Sequence, residues 1–515
     1  MEKFLQKNWA RQILVLLLGA ISSFAMQPFE FWPVLILGLS GFWILLTMSE
    51  KKWHSWLTGF LFGFGYFVAG LWWVGNALLV EGNPFLWALP AAVFGLQAIL
   101  AMFIMVAAGL SQQFAPGRTL RAFVFFIAMI AFWEWGRGRF FTGFPWNLFG
   151  MTWTGFLPMA QLSAIGGIHL LNLVTVFAFT LPAFLWTGAA SKKTKIALGF
   201  GTACFLLLSS AWGFYRLQEN PTSFNRDVIV QIVTPNISQK DKWDSALAAS
   251  NFYKTIQMMH PAAITKPKAG TARAIILPET ALLPEVFQSP DAMNALRVAT
   301  NAYPEKTYIL SGALRREQDE EGNPRYFNSL AAIDKSGTIR DWFDKFHLVP
   351  FGEYMPFQKY IPFGPVAKFA GFQGGKGPET WDRYDGLPPF SPLICYEIIF
   401  AGAVTDMTAP PSWMVNVTND AWYGVSPGPY QHLAQTQFRA IEEGIPVARS
   451  TNTGISALID PVGRILTQSP LYENFVQEEY LPKPVKEATP YAKHKDLIFF
   501  IMLGFLCLPF IFRRR

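Results

Sequence analysis

The stretch "SPLICYEIIF", residues 391–400, joins what reads as a buried strand to reactive side chains. Short, apolar and rich in Ile and Leu, it is typical of a strand in the core of a domain. Yet Cys395, Tyr396 and Glu397 stand in its middle, which places a thiol and a carboxylate near the expected end of the strand. A strand fixes the position of the side chains at its end. The stretch therefore predicts a β-containing domain that carries a thiol-based site.

The composition of the whole chain indicates a membrane protein. The chain has 515 residues, of which 51% are hydrophobic and 15% charged, and it contains 48 Phe and 19 Trp. Soluble domains have about 25% charged residues. The net charge of +7 is compatible with nucleic-acid binding. However, many basic residues flank apolar runs instead of forming one patch, so no nucleic-acid partner is expected.

Apolar runs occupy the first part of the chain and return at its end. Several approach the roughly 20 residues that a membrane-spanning helix needs. They predict a membrane domain of seven helices in residues 1–215 and one further helix in residues 496–512, about eight in all. The runs cover approximately residues 12–27, 31–48, 57–79, 86–110, 121–136, 162–187, 194–212 and 497–512.

The loops between these runs alternate in their content of Lys and Arg. Both termini are basic, and so are the loops with Lys51 and Lys52, with Arg118 and Arg121, and with the "SKKTK" motif. The intervening loops lack basic residues, apart from the one with Arg137 and Arg139. Basic loops face the cytoplasm. Both termini are therefore predicted to be cytoplasmic, and residues 220–485 are predicted to lie on the opposite side of the membrane.

Residues 220–485 have the pattern of a layered domain with strands and helices. Short β-rich runs include "DVIVQIV", "ARAIILPE", "TYILSGAL", "NSLAAID", "PLICYEII", "SWMVNVTN" and "ISALIDPVGRIL". Candidate helices lie between some of them, around residues 245–260, 290–302 and 431–443. This spacing predicts an α/β or α+β domain.

Three residues of this domain form a chemically sensible set. Glu279 follows an apolar strand in "AIILPET", Lys345 lies among aromatic residues, and Cys395 follows its own strand. Separately, each has a structural explanation: a solvated acid, a lysine extending to solvent, or a buried thiol. Together, a carboxylate can take the thiol proton, and a lysine can stabilise the thiolate and the oxyanion of an attacked carbonyl. The set predicts a covalent acyl-thioester enzyme.

The positions of the other two cysteines and the absence of certain motifs argue against a disulfide framework, a zinc site and a phosphate-binding loop. Cys204 and Cys507 lie in apolar runs and are expected to be small buried hydrophobic residues. One cysteine in the polar part cannot build a disulfide framework, and the chain has no CxxC motif that would indicate zinc. No glycine-rich phosphate loop is present.

The order of these motifs resembles a known superfamily. Glu279 in "LPET", Lys345 in "DKFHLVPFGEY" and Cys395 in "ICYE" resemble the Glu–Lys–Cys triad of the nitrilase (carbon–nitrogen hydrolase) superfamily. Residues 416–424, "NVTNDAWYG", and 439–465 resemble the stretches that follow its cysteine. A domain of this kind framed by membrane helices is similar to the apolipoprotein N-acyltransferase family of bacterial inner membranes. The resemblance extends to "FTGFPW" at residues 141–146.

This resemblance implies a fold, a reaction and a location. The fold would be a nitrilase-like αββα sandwich on a membrane base of eight helices. The enzyme would take an acyl chain from a phospholipid, mainly phosphatidylethanolamine, and pass it to the α-amino group of the diacylglyceryl-cysteine of an apolipoprotein. A monomer without cofactor or metal is expected. It would lie in the inner membrane, with the catalytic domain on the periplasmic side.

The resemblance also implies roles for individual residues. Glu279 would be the general base, Lys345 the oxyanion stabiliser and Cys395 the nucleophile that carries the acyl chain. Supporting or substrate-binding roles are implied for Glu353, Tyr396, Glu397, Trp243, Trp146 and Asn419.

The sequence leaves two alternative functions open, a hydrolase and a transporter, and it also predicts a mobile lid. A membrane-tethered amidase or nitrilase that hydrolyses a small amide would use the same triad. A transporter with an appended domain is disfavoured because the apolar runs hold few charges, Glu134 being the main one. The segment 354–372, with three prolines and several aromatic residues, is predicted to be a lid that shields the thioester from water.

Overall fold

The computed structural model describes residues 7–81, 83–260, 268, 270–356 and 371–511. The chain divides into two compact units. The helical unit comprises Met1–Gly75, Trp87–Asn220 and Thr489–Arg515, and the sandwich unit comprises Asn76–Leu86 and Pro221–Ala488. The predicted lid lies largely outside the described residues, because residues 357–370 are not among them.

Each of the eight apolar runs contains a helix in the described part of the helical unit. Five segments of this unit are long and apolar enough to cross a membrane, and two shorter apolar helices accompany them. The helices of the eight runs are Asn8–Ser22, Pro33–Thr47, Lys52–Leu71, Leu96–Phe114, Leu120–Arg137, Ser163–Thr187, Lys192–Glu219 and Leu497–Ile511.

Small residues allow these apolar helices to pack closely. A Cβ atom on Gly59 would lie 2.6 Å from the Cβ of Ala108, and one on Gly63 would lie 3.0 Å from the Cα of Ala101. Glycines four residues apart form a contact stripe that brings two helix backbones together. Glu134 is buried and accepts hydrogen bonds of 2.9 and 2.8 Å from the guanidinium of Arg137, which offsets its charge.

The described residues of the sandwich unit form eleven strands in two sheets. The strands are β1 Phe224–Thr234, β2 Ala272–Leu282, β3 Thr307–Gln318, β4 Pro324–Asp334, β5 Ile339–Asp344, β6 Phe390–Ile394, β7 Trp413–Thr418, β8 Val447–Thr451, β9 Ala457–Ile459, β10 Ile465–Gln468 and β11 Phe475–Pro482. The first sheet has the order β11-β1-β2-β3-β4-β5 and the second β10-β9-β8-β7-β6. Strands β1, β2 and β3 are parallel, as are β6, β7 and β8, and the remaining pairs are antiparallel.

Helices cover the outer faces of both sheets. Ala248–Met258 and Pro290–Thr300 pack on the first sheet in an apolar core that includes Phe252, Ile275 and Leu296. Gly428–Glu443 covers the second sheet. The sheets face each other, and the Ser450 hydroxyl donates a 2.8 Å hydrogen bond to the Val233 carbonyl across the interface. The predicted αββα sandwich is thus the observed architecture of this unit.

Strand β6, which the stretch 391–400 predicts, is shorter than predicted. It ends at Ile394, and Cys395–Ile399 forms one turn of 3₁₀ helix. The reason lies in Glu397, whose carboxylate accepts a 2.7 Å hydrogen bond from the Ile394 N–H and so turns the chain. The three predicted helices of the domain appear as Ala248–Met258, Pro290–Thr300 and Gly428–Glu443. Strands β5, β8 and β11 were not predicted.

Candidate active site

Cys395 occupies a strained turn at the end of a buried strand. Its φ angle is +49°, a left-handed conformation that costs energy for a residue with a side chain. The thiol is buried, with 7% of the residue exposed. The preceding strand β6 and the 3₁₀ turn that follows fix both sides of the residue. This geometry holds the sulfur at the carboxyl end of the parallel strands β6, β7 and β8.

Glu397 connects this turn to the segment that carries Lys345. One carboxylate oxygen accepts from the Ile394 N–H, and the other accepts from Phe346 N–H at 2.7 Å and His347 N–H at 3.2 Å. Burial raises the pKa of Glu397 to about 8, although these N–H donors and Lys345 favour its charged form. The cysteine turn and the lysine segment are thereby tied together through one side chain.

Glu279, Lys345 and Glu353 form a buried ionic cluster. The Lys345 Nζ lies 2.8 Å from Glu353 Oε1 and 3.5 Å from Glu279 Oε1. Asn328 bridges the same two carboxylates, donating to Glu279 at 2.7 Å and to Glu353 at 2.9 Å. Glu353 also accepts a 2.8 Å hydrogen bond from the Val349 N–H. Two strands, β2 and β4, and the segment 345–353 therefore hold the cluster in one arrangement.

A local irregularity of β2 directs Glu279 into this cluster. The pairing of β2 with β3 shifts between Leu277 and Leu282, and Thr280 has a φ angle of +49°. The opposing residue on β3 is Gly312, where an added Cβ would lie 2.3 Å from the Glu279 Cα. The absence of a side chain at position 312 therefore makes room for the turn of the Glu279 backbone.

The electrostatics of the cluster favour a protonated lysine and a protonated thiol. Burial disfavours the Lys345 ammonium, but the charges of Glu353 and Glu279 outweigh burial and raise the pKa of Lys345. For Cys395, burial and the charge of Glu279 raise the thiol pKa well above its ordinary value. Lys345 and a hydrogen bond from the Asn419 backbone act in the opposite direction. A base must therefore remove the thiol proton before Cys395 can attack.

A second buried network lies behind the cysteine turn. Asp420 accepts from Arg449 at 2.8 Å and lies 2.8 Å from the His432 Nδ1, and His432 is also hydrogen-bonded to the Cys395 backbone. Burial raises the pKa of Asp420, but Arg449 and His432 outweigh it, so the pKa is lowered overall. Burial and Arg449 together lower the pKa of His432. The network thus holds an ionised Asp420 and a neutral imidazole.

The remaining residues suggested by the sequence occupy different positions. Tyr396 is buried, with its ring 5.0 Å from that of Phe400. The Asn419 amide donates a 2.9 Å hydrogen bond to Gln239. Trp243 is half-buried and ends the short helix Gln239–Lys242. Trp146 belongs to the helical unit, where it is buried and its ring lies 5.1 Å from that of Trp73.

Sequence reasoning missed three polar groups of the site. Lys242 directly precedes Trp243, and its Nζ donates a 2.8 Å hydrogen bond to the Glu279 carbonyl. Asn328 opens the predicted strand "NSLAAID", where a polar residue at the end of an apolar run was the available signal. The third group is Asp420 with its partners. Within the described residues, no group of three His, Cys, Asp or Glu side chains is arranged to hold a metal ion.

Comparisons with known proteins extend over both units. A family model described as "Apolipoprotein N-acyltransferase N-terminal domain" matches residues 18–181, and one described as "Carbon-nitrogen hydrolase" matches residues 230–478. An apolipoprotein N-acyltransferase from Rhodopseudomonas palustris is 36% identical over 99% of this chain and 96% of its own length. One from Brucella melitensis is 38% identical over 93% of this chain and 91% of its own.

A solved amidase structure is similar only at a distance. The amidase from Nesterenkonia sp. AN1, of the nitrilase superfamily, is 14% identical and covers 54% of this chain and 97% of its own. The TM-score of 0.34 is too low to support an argument.

The αββα sandwich, with a cysteine, a lysine and two glutamates at one end of its strands, defines an enzyme domain of the carbon–nitrogen hydrolase superfamily. The match of residues 18–181 to the N-terminal-domain model and the near full-length relatives make the assignment more specific. The chain belongs to the apolipoprotein N-acyltransferase family. The resemblance drawn from the triad motifs is thus confirmed.

Proposed function

We propose that this chain transfers an acyl chain from a membrane phospholipid, through a thioester on Cys395, to the α-amino group of the N-terminal diacylglyceryl-cysteine of apolipoproteins. The observation that supports it best is the buried cluster of Glu279, Lys345 and Glu353, to which Glu397 ties the cysteine turn. The names of the relatives give the acceptor class. The donor is a phospholipid, with phosphatidylethanolamine as the expected headgroup.

The first half-reaction forms the thioester. Glu279 takes the proton of the Cys395 thiol, and the thiolate attacks the ester carbonyl of the phospholipid. Negative charge develops on the carbonyl oxygen, where the Lys345 ammonium and the Tyr396 backbone N–H can stabilise it. When the tetrahedral intermediate collapses, the C–O bond of the ester breaks. The lysophospholipid alkoxide leaves with the proton from Glu279.

The second half-reaction uses an amine as nucleophile. The neutral α-amino group of the acceptor attacks the thioester carbonyl, and Glu279 takes a proton from the attacking nitrogen. Collapse of this intermediate breaks the C–S bond, and the proton passes from Glu279 to the departing thiolate. An amide and the resting thiol remain. Exclusion of water from the buried site favours aminolysis over hydrolysis while the thioester waits for its acceptor.

A membrane setting suits both substrates, since both carry acyl chains. Residues 1–215 would form a domain of seven spanning helices, and residues 496–512 the eighth. The catalytic domain, residues 220–485, would lie on the periplasmic side of the inner membrane, with both termini in the cytoplasm. Five long apolar segments and the distribution of Lys and Arg support this arrangement. A monomer is sufficient, because one chain supplies all the proposed catalytic groups.

Acylation without an acceptor tests the proposal. Purified protein is incubated with phosphatidylethanolamine alone, and its intact mass is measured by mass spectrometry. The wild-type chain should gain one acyl mass that hydroxylamine removes, and Cys395→Ala should gain none. Cys204→Ala is the matched control and should be acylated like the wild type. Acylation of Cys395→Ala would refute the thioester on Cys395.

The same preparation separates acyl transfer from simple hydrolysis. Acylated protein is mixed with a diacylated lipopeptide whose α-amino group is free, or with buffer. Acyl transfer predicts rapid loss of the acyl mass with the lipopeptide and slow loss without it. Equal rates of loss in both samples would favour the membrane-tethered hydrolase instead.

A further inference from the structure

Lys242 is a second lysine beside the catalytic cluster. The proposed reaction does not assign it a role. It lies in the short helix Gln239–Lys242, which begins after Ser238, whose hydroxyl accepts from the Asp241 N–H. The side chain is buried, and its Nζ donates a 2.8 Å hydrogen bond to the backbone carbonyl of Glu279. A buried lysine is costly unless its charge is compensated.

The carbonyl that Lys242 contacts belongs to the irregular part of β2. It directly precedes Thr280, the residue in the left-handed conformation. A hydrogen bond to this carbonyl stabilises the turn that directs the Glu279 side chain toward Lys345 and Asn328. Lys242 therefore acts on the orientation of Glu279 through the backbone.

The charges around Cys395 give a second reason for a lysine at this position. Among the described residues, Glu279 and Glu353 contribute two carboxylates to the cluster, whereas Lys345 contributes one ammonium. The Asp420 charge is offset by Arg449. When Glu279 takes the thiol proton, the negative charge moves to the sulfur and the sum is unchanged. The three side chains Glu279, Glu353 and Lys345 thus carry a net charge of −1 in this buried site, and the Lys242 ammonium offsets it.

We propose that Lys242 is a positioning residue for the acyl-transfer reaction, which holds the Glu279 backbone and, as an ammonium, stabilises the Glu279–Cys395 pair. This inference rests on the proposed function. It concerns the step in which the thiol loses its proton, so it also has consequences for the reaction of Cys395 with small alkylating reagents.

The ionisation of Lys242 gives the proposal a pH signature. Burial lowers the pKa of Lys242 to about 8, although the charges of Glu279 and Cys395 favour its protonated form. Lys345, Asp420 and Tyr423 also interact electrostatically with Cys395, and Asp241 belongs to the same short helix as Lys242. The ammonium is present below pH 8 and is lost above it. Its support for the thiolate should therefore fade as the pH rises through about 8.

The test measures the rate of Cys395 alkylation by iodoacetamide between pH 6 and 10 in the full-length protein, in a background of Cys204→Ala and Cys507→Ala. Lys242→Met should slow alkylation at neutral pH by about tenfold, and its rate should approach that of the wild type above pH 8, where the wild-type lysine is neutral. Lys242→Arg keeps its charge at every pH tested, so its rate should exceed that of the wild type above pH 8. The control is Lys240→Met, which removes an exposed lysine that pairs with Glu81. Its alkylation rate should match that of the wild type at every pH.

The outcomes separate this proposal from a structural role and from failure of the proposed function. A Lys242→Met profile that superimposes on the wild-type profile overturns the proposal, even if the variant melts at a lower temperature. If Lys242→Met does not fold, Lys242→Arg tests the proposal alone. An alkylation rate for Lys242→Arg equal to that of the wild type above pH 8 then overturns the proposal. Alkylation requires no phospholipid. A changed profile in a protein that phospholipid does not acylate would therefore support the role of Lys242 and refute the acyl donor.

Discussion

The proton of the Cys395 thiol determines whether the site can react. Burial and the neighbouring Glu279 raise the thiol pKa, so the resting sulfur is protonated at neutral pH. The same burial protects a thioester from water once it has formed. Reactivity therefore depends on a base that takes the thiol proton, and Glu279 is the carboxylate that the contacts with Lys345 and Asn328 hold in place.

Removal of the base or of the ammonium should stop the chemistry. We expect Glu279→Gln to slow alkylation of Cys395 at pH 7.5, because no carboxylate takes the thiol proton. We expect Lys345→Met to slow acylation by phospholipid, because the oxyanion loses its cation. Each rate, measured by mass spectrometry, should fall more than tenfold, or about 1.4 kcal/mol of barrier. The exposed Glu320→Gln is the control. A smaller fall for either variant would remove that residue from its proposed role.

The sequence identified the charged side chains of the site but not all of their partners. Glu279, Lys345, Glu353 and Cys395 stand in distinctive motifs, each beside a strand or a turn. Asn328 reaches two of them only because β4 pairs with β3 and β5, a register that no local pattern specifies. Lys242 looks like a surface lysine in "QKDKWD". Its burial follows from tertiary packing alone.

One buried ionic network joins three segments behind the cysteine. Asp420 starts the 3₁₀ turn Asp420–Tyr423, His432 belongs to the helix Gly428–Glu443, and Arg449 lies on β8. All three side chains are fully buried. Because Arg449 and His432 both contact Asp420, the turn after β7 cannot move independently of the helix or of β8.

Loss of the Asp420 charge should destabilise the sandwich unit. Asp420→Asn leaves the Arg449 guanidinium buried without a carboxylate, which costs about 3–5 kcal/mol. The matched control is Asp385→Asn, because Asp385 pairs with Lys306 at 3.1 Å on the exposed surface. This pair should contribute less than about 1 kcal/mol. Urea unfolding followed by tryptophan fluorescence measures both effects. Equal losses in the two variants would show that the network does not stabilise the fold.

The elements that were predicted and those that were missed differ in their physical character. Strands such as β1 and β2 are apolar over most of their length and were recognisable by that property. In contrast, β8 has the sequence "VARST", and its Arg449 is tolerated in the core only because Asp420 neutralises it. Strand β11, "FVQEEYLP", lies at the edge of its sheet and is only partly buried. Neither has the apolar run on which the strand prediction relied.

A short segment between two long apolar helices belongs to the sandwich unit. The segment Asn76–Leu86 includes the "VEGNP" loop, which has no basic residue. The Asn76 amide donates a 2.7 Å hydrogen bond to the Tyr423 carbonyl, and Glu81 pairs with Lys240 at 2.8 Å. In the proposed membrane arrangement, these contacts require the loop and the sandwich residues to lie on the same side. The distribution of Lys and Arg independently predicts the same side for both.

Reporter fusions test this sidedness directly. Alkaline phosphatase is active only outside the cytoplasm, so a fusion near residue 230 should be active and a fusion near residue 192, in the basic "SKKTK" loop, inactive. A fluorescent protein that folds only in the cytoplasm should give the reciprocal result at the same two positions. The segment between the fusion points contains the helix Lys192–Glu219, which is long enough to cross the bilayer once. Equal activity at both positions would mean that this helix does not span the membrane. The reverse pattern would place the catalytic residues in the cytoplasm, on the opposite side from exported lipoproteins, and would refute the proposed acceptor.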